Sequence, residues 1–272
     1  MHQVYRYDTI NAKNNIEALE AKFATIYSQI ENISTPEDTV LNYHCQAFTS
    51  GWDTAFDNIK NDLRKIDNPG KTKWITDFVS SLCRTYAFMR EIENSKNSFN
   101  CLISDVCILD NANSMPLILK LCHYNAIGND IKSPSQITNA LAIMERILFK
   151  LHFKWADYRT NYLIHYAKEY KKDGYDQLIG KLKYTEQNGF KGYWDFSGNC
   201  RRYFCDGHYH YNSSIRYIFY KYENYLRKMA KQPMLTPDEC TNVFREKKIE
   251  NTLDHITPQT PDFTEYSEAF KN

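Results

Sequence analysis

Trp74, Ile75, Phe78, Val79, Leu82, Tyr86 and Met89 recur at three- and four-residue steps, with Lys73, Asp77, Ser81 and Arg84 between them. That period matches the 3.6-residue turn of an α-helix and sets an apolar stripe against a polar face. The same spacing returns in Ile16, Leu19, Phe23, Ile26, Tyr27 and Ile30, and again in Ile137, Leu141, Met144, Leu148 and Leu151. Only 9 glycines and 8 prolines occur in 272 residues, too few to supply the turns of a many-stranded sheet. The pattern predicts a mainly α chain, a multi-helix, bundle-like domain.

The boundaries of several helices are also written locally. Thr35 suits an N-cap, Pro36 the first helical position, and Glu37 and Asp38 the positive end of the helix dipole, for a helix reaching about Phe48. Phe99 to Leu109 is a shorter apolar segment, and Met115 to Tyr124 reads as a buried helix opened by Pro116. Ser133-Pro134-Ser135-Gln136 is a capping box for a helix expected to run past residue 150. Further helices are expected over 161–172 and 175–187, followed by an irregular stretch with Gly189, Gly192, Gly198 and Gly207. Ser213 or Ser214 then caps a helix on which Ile215, Ile218, Phe219, Tyr222, Leu226 and Met229 face one way, and Thr236-Pro237-Asp238-Glu239 is another capping box. Helix is thus expected for nearly everything in a first domain, 1–247. The segment 248–256 is the one credible strand and opens a second domain, 248–272.

Lys and Arg number 34 against 33 Asp and Glu, so the overall charge of +1 selects no class of partner. The balance shifts locally. Between Cys200 and Gln232, Arg201, Arg202, Arg216, Lys221, Arg227, Lys228 and Lys231 face only Asp206 and Glu223. A surplus of this kind attracts a phosphate backbone, although solvated basic helix faces are common. The first residues, MHQVYRYD, lack the apolar core of a signal peptide, and no apolar run is long enough to span a bilayer. A cytoplasmic protein without membrane partners is expected. Its eight cysteines, mostly inside apolar helical stretches without a regular framework, read as buried thiols.

Chemistry concentrates in Lys248 to Pro261, KIENTLDHITPQTP. Phosphodiester hydrolysis needs an activated water and a cation on the scissile phosphate, both held rigidly. His255 has the residue type for a base near neutral pH, and Asp254 offers a hard oxygen to Mg²⁺ or Mn²⁺. Ile256 would pack beneath the strand and Pro258 would turn the chain out of it.

The array RYIFYKYENYLR, from Arg216 to Arg227, followed by a polar connection and then KIENTLDHITPQ, resembles the C-terminal region of the GmrSD-type restriction endonucleases. In that family a helix of the form R-Y-x-L-Y-x-x-E-x-x-L precedes a strand ending in (E/D)-H-I-x-P-Q, which opens an HNH nuclease domain. KWITDFVSSLCRTYAFMREI, PLILKLCHY and IMERILFKLHFKWADYRTN look like the helical segments upstream of it, so the resemblance covers most of 70–260. It implies His255 as general base, Asp254 as the metal-side carboxylate where most relatives carry Glu, and Pro258 and Gln259 as motif support. It also implies DNA as the partner, a divalent Mg or Mn cofactor, and an incomplete ββα (HNH) segment at the C-terminus. The family's later G-N-L block, its finishing Asn and basic residues, and its N-terminal nucleotide-dependent domain have no counterpart in these 272 residues. The chain is therefore expected to be part of a larger enzyme and inactive alone, with nucleotide binding confined to that other domain. A non-catalytic helical scaffold or interaction module is the competing expectation, and a homo-oligomer is compatible with either.

Cys200, Cys205, His208 and His210 are zinc-ligand types within eleven residues. Their spacing departs from the common finger patterns, and His208 and His210 would point apart on extended backbone. Packed thiols and exposed histidines are expected rather than structural zinc. Arg201 and Arg202, interleaved with Tyr203, Phe204, Tyr209 and Tyr211, are candidate nucleic-acid contacts, as are Arg216, Arg227 and Lys228.

Overall fold

The most apolar stretch, Met115 to Cys122, becomes an axis around which four other helices pack. The computed structural model describes residues 12–94, 98–127, 130–131, 134–152, 162–188, 214–235 and 239. Among them are nine α-helices: α1 Ala12–Ile30, α2 Glu37–Phe48, α3 Ala55–Arg64, α4 Asn68–Asn94, α5 Ser98–Tyr124, α6 Pro134–His152, α7 Tyr162–Glu169, α8 Tyr175–Asn188 and α9 Ser214–Met229. Two-residue strands, β1 Ala126–Ile127 and β2 Asp130–Ile131, pair antiparallel between α5 and α6, Ala126 facing Ile131. The chain divides into two compact units, Met1–Tyr211 and Asn212–Asn272. The mainly α expectation holds for the described residues; the strand at 248–256, the boundary at 247/248 and the HNH segment lie outside them.

In the first unit α5 touches α2, α4, α6 and α7, while α1 lies on α4 and α8 on α6. Ser114 to His123 is buried at every position, including Leu117, Ile118, Leu119 and Leu121. A helix apolar on all sides can satisfy itself only inside a ring of neighbours, and α5 has that ring. Ile75, Val79, Leu82, Tyr86 and Met89 of α4 and Ile137, Leu141, Met144 and Leu148 of α6 supply much of it, as their spacing predicts. On α1, Leu19 and Ile26 are buried, but Tyr27 from the same stripe is exposed.

The structure corrects two helix starts. The buried segment of α5 opens at Asp110 rather than Pro116: φ −159° and ψ 91° at Asp110 kink the helix, and its Oδ1 accepts from the Asn113 N–H at 3.2 Å. Pro116 lies inside the following turns, where its missing N–H costs a hydrogen bond beside the kink. Thr35 does not cap α2, because its hydroxyl donates to Glu93 Oε1 at 2.6 Å and Pro36 takes the cap position. Glu93 also accepts from the Ser34 hydroxyl, tying the α1–α2 connection to the end of α4.

α3 has no counterpart among the sequence expectations. Its N-cap is Thr54, which accepts from the Asp57 N–H. Its buried residue is polar: Asn58 donates to Asp53 O at 2.9 Å and accepts from the Asp53 N–H at 3.2 Å, pinning the preceding loop. A Cβ on Gly51 would lie 1.8 Å from Asn58 Oδ1, so the loop needs glycine there.

Candidate functional site

Of the residues expected to carry chemistry, Asp254, His255, Pro258, Gln259, Arg201, Arg202 and the Cys200, Cys205, His208 and His210 set lie outside the described residues. Arg216 falls in the first turn of α9. Arg227 is engaged within that helix: its Nε donates to Glu223 Oε1 at 2.7 Å and its Nη1 to Pro233 O at 3.4 Å. Lys228, in the last turn, is exposed. The expected apolar face is real but turned outward: Phe219, Tyr222, Leu226 and Met229 are exposed, as is Tyr225, while Tyr217 and Tyr220 are buried.

Within the first unit two polar clusters are built into the core. His44 from α2, Thr85 from α4 and His123 from α5 form a chain, with His44 Nδ1 at 2.7 Å from Thr85 Oγ1 and His123 Nε2 at 2.9 Å from the same oxygen. Phe48, Phe78 and Phe88 pack around the two imidazoles. Burial lowers His44 to a pKa of about 3. Burial, aided by His44 and Arg84, lowers His123 to about 2. Both rings are therefore neutral at physiological pH. Thr85 has one proton to give, so at most one imidazole accepts from it and at least one must donate to its oxygen. His44 Nε2 has no partner. Placing the His44 proton on Nδ1 leaves only a lone pair unmet there, the cheaper of the two outcomes.

The second cluster joins three helices through two lysines. Lys120 Nζ of α5 donates to Ala167 O at 2.5 Å and Lys168 O at 3.3 Å, the last carbonyls of α7. Lys168 Nζ donates in turn to Thr49 O at 3.0 Å and Gly51 O at 2.5 Å, just beyond α2. Carbonyls at helix C-termini lack intrahelical donors and carry partial negative charge, so an ammonium satisfies both demands. Burial, then repulsion from Lys168, lowers Lys120 to about 8. Burial also lowers Lys168, with Asp62 and Cys45 pulling the other way. Trp52 is 56% exposed and lies 4.7 Å from Lys168 Nζ and 4.2 Å from the His165 ring.

Neither cluster presents a group to a substrate. A general base must reach a proton on a bound molecule, and His44 and His123 are enclosed by aromatic rings. Lys120 has the depressed pKa of an amine nucleophile, but its ammonium is spent on two backbone carbonyls and it is 6% exposed. Both clusters hold helices in place. Sequence reading missed them because their bonded members lie 38 to 119 residues apart and meet only in the fold. The one local signal was polar residues inside otherwise apolar runs: His44 before Cys45, and Lys120 and His123 within Met115–Tyr124.

Four cysteines are described as free thiols: Cys45 and Cys122 buried, Cys83 and Cys107 half-buried. Among the described residues no three His, Cys, Asp or Glu side chains gather as a metal site, and no helix is long and apolar enough to cross a membrane. No family model matches the chain, and no curated protein or solved structure matches it either.

Proposed function

We propose that this chain is the helical region of an HNH-type DNA restriction endonuclease, modification-dependent or directed against phage, and that it carries the opening of the nuclease site. The observation behind this reading is the order of its parts: the basic, tyrosine-rich helix from Arg216 to Arg227, a polar connection, then Leu253-Asp254-His255-Ile256-Thr257-Pro258-Gln259. His255 takes the proton from the attacking water. Asp254 would give a carboxylate oxygen to a Mg²⁺ or Mn²⁺ ion, the hard-donor chemistry such a cation requires. That cation would polarise the phosphate and stabilise the leaving oxygen. One carboxylate and one imidazole do not complete a metal site, so further ligands must come from other residues.

The test is Mg²⁺- or Mn²⁺-dependent nicking of plasmid DNA by the full reading frame that encodes this chain, beside its His255→Ala variant. Nicking that falls by at least two orders of magnitude in the variant supports the assignment, since general acid–base groups contribute about 10²–10⁴-fold. Equal nicking by both proteins removes His255 from the mechanism. A second reading, a non-catalytic scaffold or interaction module, draws on the outward apolar face of α9.

A further inference from the structure

We propose that the exposed apolar face of α9 is the docking site for the chain's own segment 261–272. Tyr225, Met229, Tyr222, Leu226 and Phe219 follow one another around one side of α9, and all are exposed, from 43% at Leu226 to 68% at Met229. Tyr222 and Tyr225 stack with centroids 6.4 Å apart, giving the face a flat aromatic centre. Five large apolar side chains on one helix face form a surface that soluble proteins normally cover. Lys221 and Lys228 lie beside the Tyr225 edge of this face by helical position, and exposed Lys231 follows the helix. The rim is basic, with Glu223 on the far edge already paired to Arg227. The complement is therefore an apolar stripe flanked by acids.

PDFTEYSEAFKN, residues 261–272, has that composition and that spacing. On a helix Phe263, Tyr266 and Phe270 would share a stripe at i, i+3 and i+7, and Asp262, Glu265 and Glu268 would occupy the adjoining face. Pro261 suits the first helical position, and Asp262 and Glu265 suit the first turn. Nine helical residues, 262–270, would span about 14 Å, against about 15 Å from Phe219 to Met229 on α9. A 25-residue connection, 236–260, provides ample reach. A second α9 would be a poorer occupant, because pairing two basic rims brings like charges together. The inference does not rest on the nuclease reading, since it needs no role for Asp254 or His255.

The experiment is hydrogen–deuterium exchange on the full chain and its Phe263→Asp/Phe270→Asp variant, with α5 amides as the internal check that both fold. Docking predicts α9 amides that exchange about tenfold faster in the variant, while α5 is unchanged. Lys228→Glu should loosen α9 in the same way, and adding Glu265→Lys should restore it. Equal α9 exchange in wild type and the Phe263→Asp/Phe270→Asp variant overturns the proposal. So does α9 protection that rises with protein concentration, which would identify a second copy, or that appears only with phosphatidylserine vesicles, which would identify a lipid surface. None of these readouts involves DNA cleavage, so the docking and nuclease readings fail separately.

Discussion

The buried half of α5 and the whole of α9 solve opposite problems with similar residues. Between Ser114 and His123 α5 has no polar face to show to water, and every side chain is enclosed by neighbouring helices. α9 is sharply two-sided, yet the side rich in Phe, Leu, Met and Tyr is exposed, while Tyr217 and Tyr220 on another face are buried. A continuous apolar run dictates its surroundings, because only a surrounded helix can hold it. A two-sided pattern dictates only that an apolar face exists and leaves its covering to another element.

The sharpest test of the α5 environment is acid, because His123 of α5 and His44 packed against it from α2 are buried in their neutral form. His44 and His123 have folded pKa values of about 3 and about 2, below the ordinary 6.5. Between those limits the unfolded chain binds more protons than the folded one. The stability that comes from keeping the rings neutral is fully present above 6.5 and is lost as pH falls toward the folded values. At pH 5 each histidine should cost about 2 kcal/mol, so urea unfolding should show a loss of roughly 4 kcal/mol relative to pH 7.5. Their imidazole NMR signals should not titrate across that range. Rings that titrate near 6.5 would break the description of α5 as a sealed core.

Truncating leucine in both regions compares them directly. Leu119→Ala removes a fully buried side chain and should destabilise the first unit by about 3 kcal/mol in chemical denaturation. Leu226→Ala trims a side chain that is 43% exposed and should leave that transition within about 0.5 kcal/mol of wild type. Comparable losses in the two variants would mean that α9 contributes to the stability of the first unit.

Asn58→Ala should cost about 2 kcal/mol, because both hydrogen bonds between the buried Asn58 amide and the Asp53 backbone are lost. A matching rise in exchange at Asp53 would locate the loss.

Asn58 also explains why α3 was illegible while α4 and α6 were plain. Periodicity detects helices that bury apolar side chains, and α3 is fixed by a buried amide, a threonine cap and a glycine that makes room for the amide. Pro116 misled in the opposite direction. Proline commonly marks a helix start, but the carboxylate of Asp110, one and a half turns earlier, performs the capping. The candidate site divides along the same line. The motif at 254–259 is local and readable as sequence, while the His44–Thr85–His123 chain and the Lys120–Lys168 relay depend on contacts that no short window contains.

The smallest effect concerns how α9 ends. Gln232 N–H donates to Arg227 O at 2.8 Å and Lys231 N–H to Lys228 O at 3.2 Å, the two bonds of a Schellman motif. Lys231 occupies the left-handed position with φ 55°, where a side chain carries a steric penalty that glycine avoids. Lys231→Gly should therefore stabilise the end of α9 by about 1 kcal/mol, less the entropy a glycine adds to the unfolded chain. Slower amide exchange over 226–232 would show the gain, with no change in α5. The same substitution removes one charge from the basic rim. If segment 261–272 docks there, part of the gain should vanish in the full chain and return in 0.5 M salt, which screens the rim. A gain of the same size at both salt concentrations would confine the effect of Lys231 to backbone geometry and leave the attraction to Lys221 and Lys228.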